Sequence, residues 1–266
     1  MRLAVRIWKE TIDVVGKYPK LFLPFIILGG VELISLYLLY LAPQKPISSL
    51  LTPPIRAFWG EKFIHYPLNL FLLPRLFTYV RMLNSASVGV LTTGILISLF
   101  FYIKEGLGAR FWASLFHSIK KFFPLLSIWL ILFILVSLVS KLISFSHFPK
   151  YSFLLPYFTF LVIVLLEIPF IYAMPAIVTG KVSFFLAIKE SFSLCKKFFL
   201  PTAGLVMIPS LLYLPVIVLR TNSFFLMKKF FPEIILIVLG TDIFLSIVID
   251  FLIVASTTIL YLNQKS

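Results

Sequence analysis

The chain has 266 residues, of which 61% are hydrophobic and 13% charged, with a mean hydropathy of +1.06. Soluble domains hold about 45–50% apolar and about 25% charged residues, so the composition excludes an ordinary water-soluble fold; the length is spread over several bilayer-length apolar runs. The net charge of +14 does not indicate nucleic acid. The basic residues sit at the ends of apolar runs, where they meet anionic lipid headgroups, and no reading motif accompanies them.

Residues 2–17 form a first basic amphipathic segment, with Arg2, Arg6, Lys9, Glu10, Asp13 and Lys17 on one helical face. It lacks the uninterrupted apolar core of a secretory signal, so targeting falls to the first membrane helix, Leu21–Ala42. A proline-rich stretch, 43–84, reads as an outer loop of short interfacial helices carrying Arg56, Lys62, Arg75 and Arg81. The second span is Ala86–Ile103, where Gly89, Thr92, Thr93 and Gly94 offer a small-residue face for helix packing. A second amphipathic segment follows, with Arg110, Ser114, His117, Ser118 and Lys121 on one face. The third span then runs to about Phe145, and a tight turn leads to the fourth, Phe153–Val178.

The third amphipathic segment, about 182–196, carries Lys189, Glu190, Ser193, Lys196 and Lys197 on one face. The fifth span is Phe198–Leu219 and the sixth Ile234–Leu262. Lys20, Lys120 and Lys197 each stand four residues before a proline (Pro24, Pro124, Pro201), with Phe22, Phe122 and Phe199 between. The spacing has a physical basis: Lys snorkels to the headgroups, Phe sits at the interface, and Pro is tolerated in a first helical turn. Lys228 and Pro232 share the spacing, so these interfacial anchors alone mark membrane entries; the longer unit of amphipathic segment and hairpin defines an internal repeat of about 1–105, 106–180 and 181–266 in one membrane domain. The expected fold is all-α and polytopic, with six membrane helices in three hairpins, each preceded by an amphipathic helix. Hairpins return the chain to its starting side. That side carries 14 Lys and Arg against 10 on the other, which places both termini in the cytoplasm and the protein in the cytoplasmic membrane.

The stretch PAIVTGKVSFFLAIKESFSLCKKFF, through Pro175, Ala187, Ser191, Leu194 and Lys196, resembles the signature of an uncharacterised six-helix integral membrane family. That family includes the membrane domain fused to some bacterial glycerophosphodiester phosphodiesterases, and it often has an acidic residue where this chain has Thr179. The resemblance implies a fold and a location; the phosphodiesterase domain has no counterpart here.

No catalytic, cofactor or metal site is read from the sequence. His65, His117 and His147 are scattered, Glu61 and His65 make only two ligands, and Cys195 stands alone. The sharp chemical signal is the acids within spans: Glu32, Glu167, Asp242 and Asp250. Each costs ~2.5–3.5 kcal/mol at a helix centre, so they face protein or water, pair, or carry a proton. Matching depths predict an ion pair between Lys141 and Asp242. Glu32, Glu167 and Asp250 lie 11, 11 and 12 residues from the inner ends of their spans. At ~1.5 Å per residue that is ~16–18 Å deep, which predicts one buried proton or cation site. The sequence favours a non-enzymatic module organising lipid or an unidentified protein partner through its basic collar; the alternative is a small proton- or cation-coupled transporter or channel using the acids.

Overall fold

A computed structural model describes residues 2–145, 154–180 and 183–265. Among these residues there is no strand; the chain is an all-α polytopic membrane protein. Helix α1 (Arg2–Lys17) leads through a 3-10 turn at Pro19–Phe22 into α2 (Leu23–Leu41), and α3 (Ser48–Trp59) precedes α4 (Leu68–Asn84). A π-turn at Ser85–Gly89 joins α4 to α5 (Val90–Lys104), followed by α6 (Phe111–Lys120) and α7 (Phe122–Phe145). Then come α8 (Leu155–Glu167), a 3-10 turn at Ile168–Phe170, α9 (Ala173–Thr179) and α10 (Phe184–Lys197). The chain ends with α11 (Phe199–Leu211), α12 (Leu214–Thr221), α13 (Ser223–Lys229) and α14 (Ile234–Lys265).

Among the described residues five stretches are long and apolar enough to cross a membrane: Pro19–Leu41, Leu68–Lys104, Phe122–Ile143, Leu155–Thr179 and Ile234–Lys265. The second differs from expectation. The outer loop ends at about Pro67, because α4, the π-turn and α5 form one run of 37 residues. No proline or glycine stands between Pro74 and Gly89 to stop it. The fifth expected span differs too: it is two short helices, α11 and α12, parted at Leu212–Tyr213. Pro215 lacks the N–H that would bond the carbonyl of Leu211, and its ring crowds that carbonyl, so the helix cannot run through. Helix α10 meets α11 at 96°. The tight turn expected between the third and fourth spans, 146–152, lies outside the described residues, as does Lys181.

The long helix α14 is the central post, packed by α1, α2, α5, α11, α12 and α13. At Gly29 of α2 the approach is so close that a Cβ would fall 2.5 Å from Cδ1 of Ile247. The last turn of α14 gathers the short helices at one end of the bundle. Asn263 Nδ2 donates to both carboxylate oxygens of Glu10 in α1 (3.2 and 3.0 Å). Tyr261 Oη donates to Glu190 Oε1 in α10 (2.9 Å), and Lys265 pairs with the same oxygen (2.9 Å). Lys104, closing α5, donates to the carbonyl of Leu262 and to Asn263 Oδ1. His117 Nε2 of α6 lies 2.9 Å from the carbonyl of Val178, near the end of α9.

The inward faces of these short helices are small. Helix α10 buries Ala187, Ser191 and Cys195, and α6 buries Ser114 and Ser118, while Phe185 and Trp112 stay exposed. The expected shared face of Arg110, Ser114, His117, Ser118 and Lys121 therefore splits: the two serines face protein and Arg110 is exposed. The reason is the close approach of α5, where a Cβ on Gly94 would sit 2.8 Å from Leu125 Cδ1 and 3.1 Å from Ser118 Oγ. Lys20, Lys120 and Lys197 are all exposed where their spans begin.

Candidate functional site

The buried polar centre is built from four helices and a helix break. Arg81, on the last turn of α4, lies inside a membrane-length helix and is held there by carboxylates from two others. Its Nε lies 3.2–3.3 Å from the Glu32 carboxylate of α2, and its Nη1 lies 3.0 Å from Asp242 Oδ1 of α14. Nη2 donates to Ser246 Oγ, one turn along α14 from Asp242. Arg220 of α12 adds a second cation, with Nη1 3.2 Å from Asp242 Oδ2 and Nη2 3.4 Å from Thr78 Oγ1. Tyr213 Oη, in the break between α11 and α12, donates to Asp242 Oδ1 at 2.5 Å. The break is what turns Tyr213 toward α14, and the Arg81–Asp242 contact it joins is nearly dry: the Asp242 side chain is 1% exposed and Glu32 5%. Such a pair persists only where hydrogen bonds complete it, because desolvating each ion costs several kcal/mol.

Beside this network lies a cavity of about 650 Å³ among α2, α4, α5, α7, α8, α9 and α14. Glu32, Glu167 and Asp250 all line it, together with Arg81. The three acids expected at one depth thus reach one cavity, but in two different states. Glu32 is buried and paired, whereas Glu167 is half-buried and Asp250 exposed. Among the described residues neither Glu167 nor Asp250 forms an ion pair. Glu167 also lines a smaller cavity of about 90 Å³, bounded by Ile97, Ile128 and Thr257. Those three residues lie closer than the first cavity's to the end of the bundle where the short helices gather.

Glu167 is the last residue of α8, at the point where Pro169 interrupts the fourth span. The interruption is closed from outside. Ser191 Oγ of α10 donates to the carbonyl of Pro169 (2.7 Å) and accepts from the N–H of Tyr172 (3.1 Å). Tyr172 Oη in turn lies 2.5 Å from Thr202 Oγ1 of α11. A single serine on a peripheral helix thus satisfies a backbone donor and an acceptor that a regular helix would pair internally.

Lys141 does not take the role expected of it. It is exposed on α7, and the charges on Asp242 are met by Arg81 and Arg220 instead. Depth along two spans was the only criterion for Lys141, and depth says nothing of which helix faces which. Arg81, Arg220 and Tyr213 escaped the sequence reading. Arg81 was available to it: an unbroken helical run from 75 to 88, continuing into an apolar span, puts that charge at membrane depth. No group of three or more metal-ligating side chains forms among the described residues. No family model, curated protein or solved structure matches the chain.

Proposed function

We propose that the protein moves protons or a small cation across the cytoplasmic membrane, coupled through the acids of the central cavity. The observation that carries this reading is the cavity of about 650 Å³ reaching Glu167 and Asp250 at the middle of membrane-length helices. Carboxylates kept inside a bundle without a paired cation are costly, and in membrane proteins they mark ion and proton pathways. Both flanking spans that are interrupted, at Pro169 and at Leu212–Tyr213, border the polar centre, which is the pattern of discontinuous helices at transporter binding sites. Glu167, lining both cavities, is the gate carboxylate; Asp250 is the second acceptor; Glu32 and Asp242 hold the Arg81 scaffold.

The remaining parts fit the same reading. The three short helices lie in the cytoplasmic headgroup layer, with Trp112, Phe116 and Phe185 toward acyl chains and Lys120, Lys189 and Lys197 toward anionic headgroups. Their recurrence before α2, α7 and α11 is the threefold internal repeat, and the six-helix family resembled through Pro175–Lys196 would share it. Both termini are cytoplasmic.

The test is proton flux into liposomes containing the purified protein, driven by a potassium diffusion potential and read by a trapped pH dye. Flux above protein-free vesicles, lost in Glu167→Gln, is expected. Flux equal to protein-free vesicles, or undiminished in Glu167→Gln, overturns the reading.

A further inference from the structure

We infer that the central cavity binds a lipophilic organic cation, an ammonium or phosphonium group carrying apolar substituents. The inference takes its location from the reading above and adds the chemistry of the ligand. Four features of the cavity point to it together.

The first is that Arg81, although it lines the cavity, has its charge already shared between two carboxylates. Its Nε serves Glu32, Nη1 serves Asp242 and Nη2 serves Ser246. An anionic ligand would meet a guanidinium whose charge Glu32 and Asp242 already neutralise. The second is pairing. Glu32 and Asp242 are met by Arg81 and Arg220, which leaves Glu167 and Asp250 as the carboxyl groups on the cavity wall that form no ion pair among the described residues.

The third is an aromatic wall. Trp129 and Phe133 of α7 both line the cavity and stack with centroids 5.2 Å apart and planes within 5°. The indole Nε1 donates to Ser85 Oγ of the π-turn at 3.1 Å, which fixes the ring and leaves its π-face as the binding element. Tryptophan is the best cation–π partner, and the interaction is strongest where the cation is desolvated. The fourth is size and wetness. Phe25, Leu28, Ile171 and Met174 make much of the remaining wall, and about 650 Å³ is the scale of a pocket for an organic ligand. A hard metal ion would want six to eight oxygens closely arranged, and no three metal-ligating side chains converge among the described residues. An organic cation would instead place its charge between Glu167 and Asp250, and its apolar groups against Trp129 and the α2 face.

The probe is tetraphenylphosphonium, with tetraphenylborate as the anion of the same shape, in equilibrium dialysis against the full chain in phosphatidylcholine nanodiscs. We expect saturable uptake of the phosphonium above empty nanodiscs and only unsaturable partitioning of the borate. Glu167→Gln combined with Asp250→Asn should weaken phosphonium binding by at least ~10-fold. Trp129→Leu should weaken it roughly threefold to thirtyfold. Thermal unfolding of each variant in the same nanodiscs separates lost binding from lost fold. The inference is overturned by absence of saturable phosphonium uptake, by equal saturable uptake of the borate, or by undiminished binding in a double variant. Saturable binding without proton flux would overturn the transport reading and leave the site standing. Flux without binding would do the reverse.

Discussion

Asp242 and Asp250 stand two helical turns apart on α14, eight residues from one another, yet they occupy opposite situations. Asp242 is closed in by Arg81, Arg220 and Tyr213 and has almost no accessible surface. Asp250 opens onto the cavity and has no ion pair among the described residues. Glu32 and Glu167 divide in the same way, Glu32 toward Arg81 and Glu167 toward the cavity. One side of the polar centre is a structural rivet joining α2, α4, α12 and α14. The other is an open wall of the cavity. Buried charge serves stability only when every partner is present, and it serves chemistry only when one partner is missing.

The sharpest way to break that contrast is to remove the rivet. Arg81→Met strands Glu32 and Asp242 in a low-dielectric interior with one remaining arginine on the Asp242 side. Breaking a buried pair in this manner costs about 3–5 kcal/mol. A large drop in detergent Tm and in folded yield is expected, with part of the loss regained by adding Glu32→Gln. If Arg81→Met unfolds at the wild-type temperature, the arginine is not the element that holds the helices together.

Ser191→Ala makes a smaller cut at the junction of the two halves, since it leaves the Pro169 carbonyl and the Tyr172 N–H without their partner. A buried group left unsatisfied costs about 1–3 kcal/mol, so an intermediate loss of Tm is expected. Because the break next to Glu167 is what loosens, hydrogen exchange should rise at 168–172 more than in α14. Uniform exchange across the bundle would show that Ser191 does not clamp the break.

The apolar spans other than the fifth, and the three short helices, were legible because apolar runs and basic periodicity survive in any environment. That Glu32, Glu167 and Asp250 line one cavity was open to inference for a related reason, since rise per residue is fixed once a span is recognised. Partner identity was not. Which helix faces Asp242 depends on packing between α4 and α14, which touch 165 residues apart in sequence through Arg81 and Ser246. The faces of α6 were misjudged because a helical wheel sorts polar from apolar. In lipid the better distinction is small from large: Ser114 and Ser118 approach Gly94 while Trp112 and Phe116 point away. Tyr213 was hidden because Phe198–Leu219 reads as one span, when the break before Pro215 divides α11 from α12.

The mildest change is the one that tests the other half of the contrast. Asp250→Asn removes a charge from the cavity wall at nearly constant volume. If the carboxylate served the fold, its loss would leave a cation unpaired and would resemble the Arg81 variant in kind. Among the described residues Asp250 has no ion pair, since the ion pairs of Arg81 go to Glu32 and Asp242. Neutralising a carboxylate that faces other carboxylates also relieves repulsion, which favours the folded state. The change in stability should therefore fall within about 1 kcal/mol and be as readily positive as negative, in the range of substitutions away from packing and pairing features. Asp242→Asn, the same chemistry eight residues earlier, should destabilise several times more. Measuring both by thermal unfolding in one detergent makes the comparison internal. Equal losses at the two positions would mean that Asp250 is riveted as tightly as Asp242, and the cavity would then be a packing defect with no ligand to receive.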